Sequence, residues 1–222
     1  MAQFDVIEVL TRMRDTGMVP VFYHADPDKA LQVVEACYAG GVRVFEFTNR
    51  GDGAHEVFRH VLRHARRSCP DMALGAGTVT DAPTAALYLQ LGADFVVGPM
   101  FNPDVAQVCH RRGVPYVPGC GTATEVSAAQ ACGCTVCKVF PGEVLGPRFV
   151  KSLRAPMPWA KLMVTGGVEP TEESLAAWFG AGAFCVGMGS RLLTPDVVSA
   201  ADGAALTARC AQVLGLISKV RP

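Results

Sequence analysis

The chain has five lysines, and one stands apart from the rest. Lys29 and Lys151 fall in helical patterns, Lys161 at the entrance to an apolar run, and Lys219 in the C-terminal tail. Lys138 alone lies inside such a run, within Val136-Cys137-Lys138-Val139-Phe140. A charge in an apolar strand is either neutralised by a partner or put to use. In water a lysine, with a pKa of about 10.4, is almost wholly protonated at pH 7. Taking an amine out of water disfavours the ammonium, and a neutral amine attacks a ketone to form an imine. The protonated imine withdraws electrons, so the neighbouring carbon can carry the charge left when a bond breaks. The competing readings of Lys138 are a structural ion pair and an amine snorkelling outward.

A second chemical residue sits in another apolar run. Val44, Glu46, Thr48 and Arg50 share one parity, so a strand there turns all of them to one face until it ends. Glu46 is then a carboxylate among apolar neighbours. It is either a general acid–base that moves protons for an imine or only a charge partner for Lys138. Arg50 lies just past the strand end. There it either clamps a substrate carboxylate in bidentate fashion or is a plain surface arginine.

Glycine-rich turns follow three of the runs: Gly75-Ala76-Gly77-Thr78-Val79, Thr165-Gly166-Gly167 and Gly187-Met188-Gly189-Ser190. Such turns let backbone N–H groups approach an anion, and a hydroxyl adds a donor. Thr78 either binds a carboxylate or caps the following helix.

These residues need a scaffold, and the punctuation of the chain supplies one. A capped amphipathic stretch, a glycine and a short apolar run recur. Asp26-Pro27, Asn102-Pro103 and Thr122 with Glu125 open helices. Gly40-Gly41, Gly113 and Gly133 close them. Short strands are expected near residues 18–23, 42–48, 73–76, 94–98, 114–118, 135–140, 162–165 and 183–187. A leading helix is expected near 3–16 and a closing one near 196–217. Eight strands alternating with helices predict an α/β (β/α)₈ TIM barrel with an extra N-terminal helix, formed as a single domain over residues 1–222. Proline in the first and fifth strands (Pro20, Pro115, Pro118) predicts that these are very short. In this architecture the active site lies at the C-terminal ends of the strands. Phosphate often binds after the seventh and eighth, where the Gly166 and Gly189 turns fall.

Composition narrows the function. Twenty basic residues balance twenty acidic ones, so no basic excess points to nucleic acid. No apolar run is long enough to cross a membrane and no signal peptide is legible, so the expected place is the cytoplasm. The nine cysteines are scattered and read as reduced, buried thiols. Cys132, Cys134 and Cys137 cluster, but Cys134 and Cys137 straddle the start of a strand and are expected on opposite faces, which argues against a metal site.

Taken in order, Glu46-Phe47-Thr48-Asn49-Arg50, Gly75-Ala76-Gly77-Thr78-Val79, Lys138-Val139-Phe140-Pro141 and Thr165-Gly166-Gly167 resemble the motifs of the class I 2-dehydro-3-deoxy-phosphogluconate (KDPG) / 4-hydroxy-2-oxoglutarate (KHG) aldolases. The resemblance runs from about Val19 to Ser190. It implies Lys138 as the Schiff-base lysine and Glu46 as the acid–base. It implies Arg50 and Thr78 around the pyruvyl carboxylate, and Pro99 and Phe140 lining the pocket. It implies Thr165, Gly166, Gly167 and Ser190 at a distal phosphate, to which the glycine turn itself adds Gly189. It further implies a small-molecule 2-keto acid or phosphorylated sugar acid as substrate, a homotrimer, and no metal or organic cofactor. Three departures bear on the sugar acid accepted: Phe22-Tyr23-His24 where many members carry a basic residue, Gly142 where alanine is frequent, and Met188 within what is often a glycine pair. His24 reads as a polar loop residue rather than a substrate contact.

The expected reaction is cleavage of 2-dehydro-3-deoxy-6-phosphogluconate to pyruvate and glyceraldehyde 3-phosphate, with 4-hydroxy-2-oxoglutarate or the phosphogalactonate epimer as neighbouring substrates. A phosphate-binding barrel isomerase or synthase is the rival enzyme, but it has no need of a lysine in the sixth strand. A catalytically inactive sugar-phosphate sensor is the non-enzymatic rival. It would keep the glycine turns and lose Lys138 or Glu46, and this chain keeps both.

Overall fold

The computed structural model describes residues 1–199 and 203–221. Helix α1 (Val6–Thr16) comes first, opened by a reciprocal capping box between Asp5 and Glu8. Strands β1 (Met18–Phe22), β2 (Val44–Thr48), β3 (Ala73–Gly77) and β4 (Val96–Val97) follow, separated by α2 (Pro27–Ala39), α3 (Ala54–Ser68) and α4 (Ala82–Leu91). Helix α5 (Pro103–Arg111) leads to β5 (Tyr116–Val117) and β6 (Gly119–Cys120). Then come α6 (Ala123–Ala131), β7 (Val136–Val139), α7 (Gly142–Arg154), β8 (Lys161–Thr165), α8 (Glu172–Gly180) and β9 (Cys185–Met188). Helices α9 (Pro195–Ser199) and α10 (Ala204–Val220) complete the described residues. The helix starts are built as their sequences dictate. The side chains of Asp26 and Asn102 accept N–H bonds ahead of Pro27 and Pro103, and Thr122 caps α6.

All strand pairs are parallel, in the order β5-β4-β3-β2-β1-β9-β8-β7-β6. The two ends of this order meet at Pro118. β5 pairs with β4 and β6 pairs with β7, and a single residue separates them. They are one barrel strand interrupted where proline has no N–H to give. The Pro118 carbonyl still accepts the Lys138 N–H at 2.7 Å. The result is the expected (β/α)₈ barrel, whose fifth strand continues past the predicted limit at 118 to Cys120.

The core has two layers. Phe45, Phe47, Val139 and Val164 face outward onto the helices, where most of the apolar side chains gather. Val19, Val44, Ala73, Val136 and Met163 face inward and pack with Phe4, Val9 and Met13. Helix α1 thus stoppers the barrel at the N-terminal ends of its strands. Each such buried side chain is worth about 1.5–3 kcal/mol. Asp94, 1% exposed, locks this stopper in place. Its carboxylate accepts the N–H groups of Gln3 (2.6 Å), Phe4 (3.4 Å) and Leu74 (2.9 Å).

Three expectations need correction. Cys134 and Cys137 do not point to opposite faces: both are buried in the outer layer, while Cys132 is exposed. Strand alternation applies only from Val136 onward, and Cys134 lies in the loop before it. Lys219 is not in a tail but in the last turn of α10, bonded to Glu172 at 2.8 Å. The closing helix anticipated over 196–217 is two helices in the described residues, and its stretch at 200–202 lies outside them. No helix among the described residues is long and apolar enough to cross a membrane.

Candidate active site

Strand parity delivers Lys138 and Glu46 to the barrel interior from β7 and β2. The Lys138 Nζ lies 3.6 Å from Glu46 Oε1, with side-chain exposures of 7% and 1%. At that separation the two attract as charges without a hydrogen bond between them. The other Glu46 oxygen, Oε2, is buried with no partner. An unsatisfied buried polar atom costs about 1–3 kcal/mol and is uncommon in a folded protein. Glycines let the barrel wall pack closely here. A β-carbon on Gly75 would strike the Phe95 ring at 2.4 Å, and one on Gly119 would lie 2.1 Å from the Pro99 carbonyl oxygen.

Phe140 bounds the amine on one side, its ring centre 5.2 Å from Lys138 Nζ. The peptide from Phe140 to Pro141 is cis. Phe140 in turn lines a cavity of about 570 Å³ at the C-terminal ends of the strands. Arg50, Thr165, Gly166, Gly167, Gly189 and Ser190 share that lining. Lys138, Glu46, Thr78 and Pro99 are not part of its wall. Among the described residues Arg50 has no acidic partner, so its guanidinium is free for a ligand. The loop that carries it is tied down next door. Asn49 N–H donates to the Gly77 carbonyl at 2.8 Å, and the Tyr88 hydroxyl donates to Asn49 Oδ1 at 2.9 Å. Burial pushes the Tyr88 phenol up to about 12. Tyr88 therefore stays a donor throughout the range in which enzymes work.

Thr78 does not cap helix α4. That task falls to Asp81, whose side chain accepts the Thr84 N–H at 2.8 Å. Thr78 instead holds φ at 59°, the only positive value at a non-glycine residue among those described. A β-branched residue is strained there, and such strain gathers at functional sites. At the other end of the cavity Thr165 Oγ1 is buried without a partner, beside the space left by Gly187. Gly142 also has a structural reason: a methyl there would sit 2.5 Å from the Gly166 carbonyl oxygen. His24 is used locally, its Nδ1 accepting the Asp26 N–H at 3.0 Å ahead of α2.

Two charged cavity residues escape a reading by motif: Glu143 and Arg191. Arg191 had the clearest signal, a cation directly after a glycine–serine turn. A second cavity of about 200 Å³ opens at the opposite end of the barrel, between α1 and the N-terminal ends of β5 and β7. It is largely apolar, with His110 and Tyr116 as its titratable side chains, and is remote from the amine.

A buried lysine and carboxylate on facing strands of a (β/α)₈ barrel, beneath a glycine-edged cavity, define the aldolase class of carbon–carbon lyases. The chain belongs to the KDPG and KHG aldolase family, whose model matches residues 9–209. It is 32% identical over 213 residues to the 2-dehydro-3-deoxy-phosphogluconate aldolase of Treponema pallidum, covering 96% of this chain and 97% of that one. Over 120 residues, 54% of this chain and 58% of the relative, it is 35% identical to the 2-dehydro-3-deoxy-6-phosphogalactonate aldolase of Escherichia coli. Its fold is similar to the solved 2-keto-3-deoxy-6-phosphogluconate aldolase of Zymomonas mobilis with 3-phosphoglycerate. The TM-score is 0.81 at 25% identity, covering 96% of this chain and 98% of that one.

Proposed function

We propose that this chain cleaves 2-dehydro-3-deoxy-6-phosphogluconate to pyruvate and glyceraldehyde 3-phosphate through an imine on Lys138. The observation that carries the reading is the 3.6 Å approach of the buried Lys138 amine to the buried Glu46 carboxylate, whose Oε2 has no hydrogen-bond partner. The amine adds to the C2 ketone and gives a carbinolamine, which loses water to form the protonated imine. Glu46 supplies and takes up the protons of these steps. When the C4 hydroxyl gives up its proton, the C3–C4 bond breaks, its electron pair flows into the imine and the aldehyde leaves. Protonation of the resulting enamine at C3 and hydrolysis release pyruvate and restore the amine.

Arg50 and Thr78 hold the carboxylate of the pyruvyl half in this scheme, and Pro99 and Phe140 border the imine. Thr165, Gly166, Gly167, Gly189 and Ser190 hold the phosphate at the far end. The imine is the electron sink, so EDTA is expected to leave turnover intact. We place the protein in the cytoplasm as a homotrimer that acts as one barrel domain over residues 1–222. Light scattering on the eluted protein measures the assembly.

The decisive experiment is borohydride reduction in the presence of pyruvate. It is expected to add one reduced pyruvyl group, mapped by peptide mass to Lys138. Labelling at Lys161, or none, removes the basis of the reading. A pyruvate-release assay then ranks the gluconate, its C4 epimer and 4-hydroxy-2-oxoglutarate.

A further inference from the structure

The cavity carries three charged side chains: Arg50, Glu143 and Arg191. Glu143 leans on the Gly166-Gly167 turn. A β-carbon on Gly166 would fall 1.9 Å from Glu143 Oε2, and one on Gly167 would fall 2.7 Å from Glu143 Cβ. A carboxylate therefore stands at the end of the cavity assigned to the phosphate. Backbone N–H groups and the Ser190 hydroxyl bring no charge to set against it, and like charges repel at this range. Arg50 is committed to the other end, beside β2. A countercharge has to come from elsewhere on the rim.

Arg191 is placed to supply it. It follows Ser190 directly and lines the same cavity. Its Nε forms an ion pair with Glu169 Oε1 at 3.0 Å, and among the described residues neither Nη group has a hydrogen-bond partner. The backbone beneath is pinned. Leu192 N–H and Leu193 N–H both donate to the Gly189 carbonyl at 2.9 Å, and Arg209 Nη2 donates to the Arg191 carbonyl at 2.8 Å. The ion pair steadies one edge of a guanidinium that is 66% exposed, and its outer fork is open to a ligand. That fork suits the paired oxygens of a phosphate.

We propose that Arg191 determines specificity for a phosphate on the distal carbon of the substrate, with Glu169 as the positioning residue that aims it. This rests on the reading of the cavity as a sugar-acid aldolase site. Glu143 sharpens the selection, because a neutral distal hydroxyl needs no cation and a phosphate beside this carboxylate does.

The test uses the intact enzyme and the variants Arg191→Met, Arg191→Lys and Glu169→Gln. Pyruvate release is measured from 2-keto-3-deoxy-6-phosphogluconate and from its unphosphorylated counterpart. Arg191→Met is expected to lower kcat/KM for the phosphorylated substrate by roughly 10- to 100-fold, the range for a lost charge-assisted contact. The unphosphorylated substrate is expected to change less than about 2-fold, a difference of under about 0.4 kcal/mol. Arg191→Lys restores part of the loss. Glu169→Gln gives an intermediate loss confined to the phosphorylated substrate, as expected when aim rather than charge is lost. Equal losses on both substrates, or no loss on the phosphorylated one, overturn the proposal.

Calorimetric binding of 3-phosphoglycerate separates this proposal from the lysine chemistry, because it forms no imine. Binding weakened about 10-fold or more in Arg191→Met supports the phosphate role even if pyruvate trapping at Lys138 fails. Unchanged binding overturns the role even if trapping succeeds.

Discussion

Gly77 pairs in register with Thr48, yet a β-carbon on Gly77 would lie 2.0 Å from Glu46 Oε1, two residues back along β2. The carboxylate occupies the volume that any other residue at position 77 would fill. A motif glycine that reads as a turn former is, at this position, a socket for the proposed acid–base. Gly77→Ala should therefore push Glu46 off its place, since the three nearest atoms it meets, Oε1, Cδ and Cγ, all belong to the Glu46 side chain. Turnover is expected to fall by roughly 10² or more, towards the 10²–10⁴ expected for Glu46→Gln. The circular dichroism spectrum should stay that of the parent. A Gly77→Ala enzyme with full activity would show that Glu46 need not stand where it does.

The Tyr88 hydroxyl reaches Arg50 only through Asn49, so its removal tests positioning rather than chemistry. Tyr88→Phe deletes the 2.9 Å bond to Asn49 Oδ1 and leaves the ring packed against Phe58. A net hydrogen bond is worth about 0.5–1.5 kcal/mol, so the expected rise in KM is roughly 2- to 10-fold. The rise should appear for phosphorylated and unphosphorylated sugar acids alike, because both present the same carboxylate to Arg50. Steady-state kinetics on the two substrates measure it. A change limited to kcat would place the effect at the imine instead.

Much of this molecule is legible in the chain, and the gaps have physical causes. Lys138 and Glu46 are found because strand alternation is rigid within β7 and β2. The same rule misplaces Cys134, which lies outside the strand where alternation stops. The fifth strand is cut short on paper because Pro118 breaks the N–H ladder; its carbonyl nevertheless carries the pairing through to Cys120. The leading helix is foreseen, but its use as a stopper is not. That follows from the long-range bonds of Asp94 to residues 90 and more positions away, which no local pattern encodes. Arg191 and Glu143 line one cavity only because two turns converge in space.

Asp94 gives the stopper a testable weight. Asp94→Ala strands three N–H groups at the base of the barrel, those of Gln3, Phe4 and Leu74. Leaving buried donors unpaired costs about 1–3 kcal/mol each, less where water reaches them. With Gln3 partly exposed, a total of about 3–5 kcal/mol is expected. For a chain of this size that corresponds to a fall in Tm of roughly 6–20 °C. Amide exchange should rise across α1 before it rises in the strands at the opposite end. Calorimetry and hydrogen exchange check both. A loss below 1 kcal/mol would mean that apolar packing of Phe4, Val9 and Met13 alone holds the helix.

Thr78 sets stability against function within one residue. Its φ of 59° is a strained value for a β-branched side chain, costing about 1–3 kcal/mol. Helix capping does not account for the threonine, because Asp81 does that work. Thr78→Gly relieves the strain, while the looser unfolded chain takes back about 0.5–1 kcal/mol. The variant should therefore melt at or slightly above the parent temperature. If the hydroxyl holds the substrate carboxylate, as proposed, the same change removes a charge-assisted bond worth about 1.5–3 kcal/mol. The kcat/KM should then fall roughly 10- to 100-fold on every 2-keto acid tested. Thr78→Ser, which keeps the hydroxyl and drops the branch, should retain most of the activity. A Thr78→Gly enzyme that is less stable but fully active would reverse the assignment. The threonine would then be a packing residue, and the carboxylate would rest on Arg50 alone.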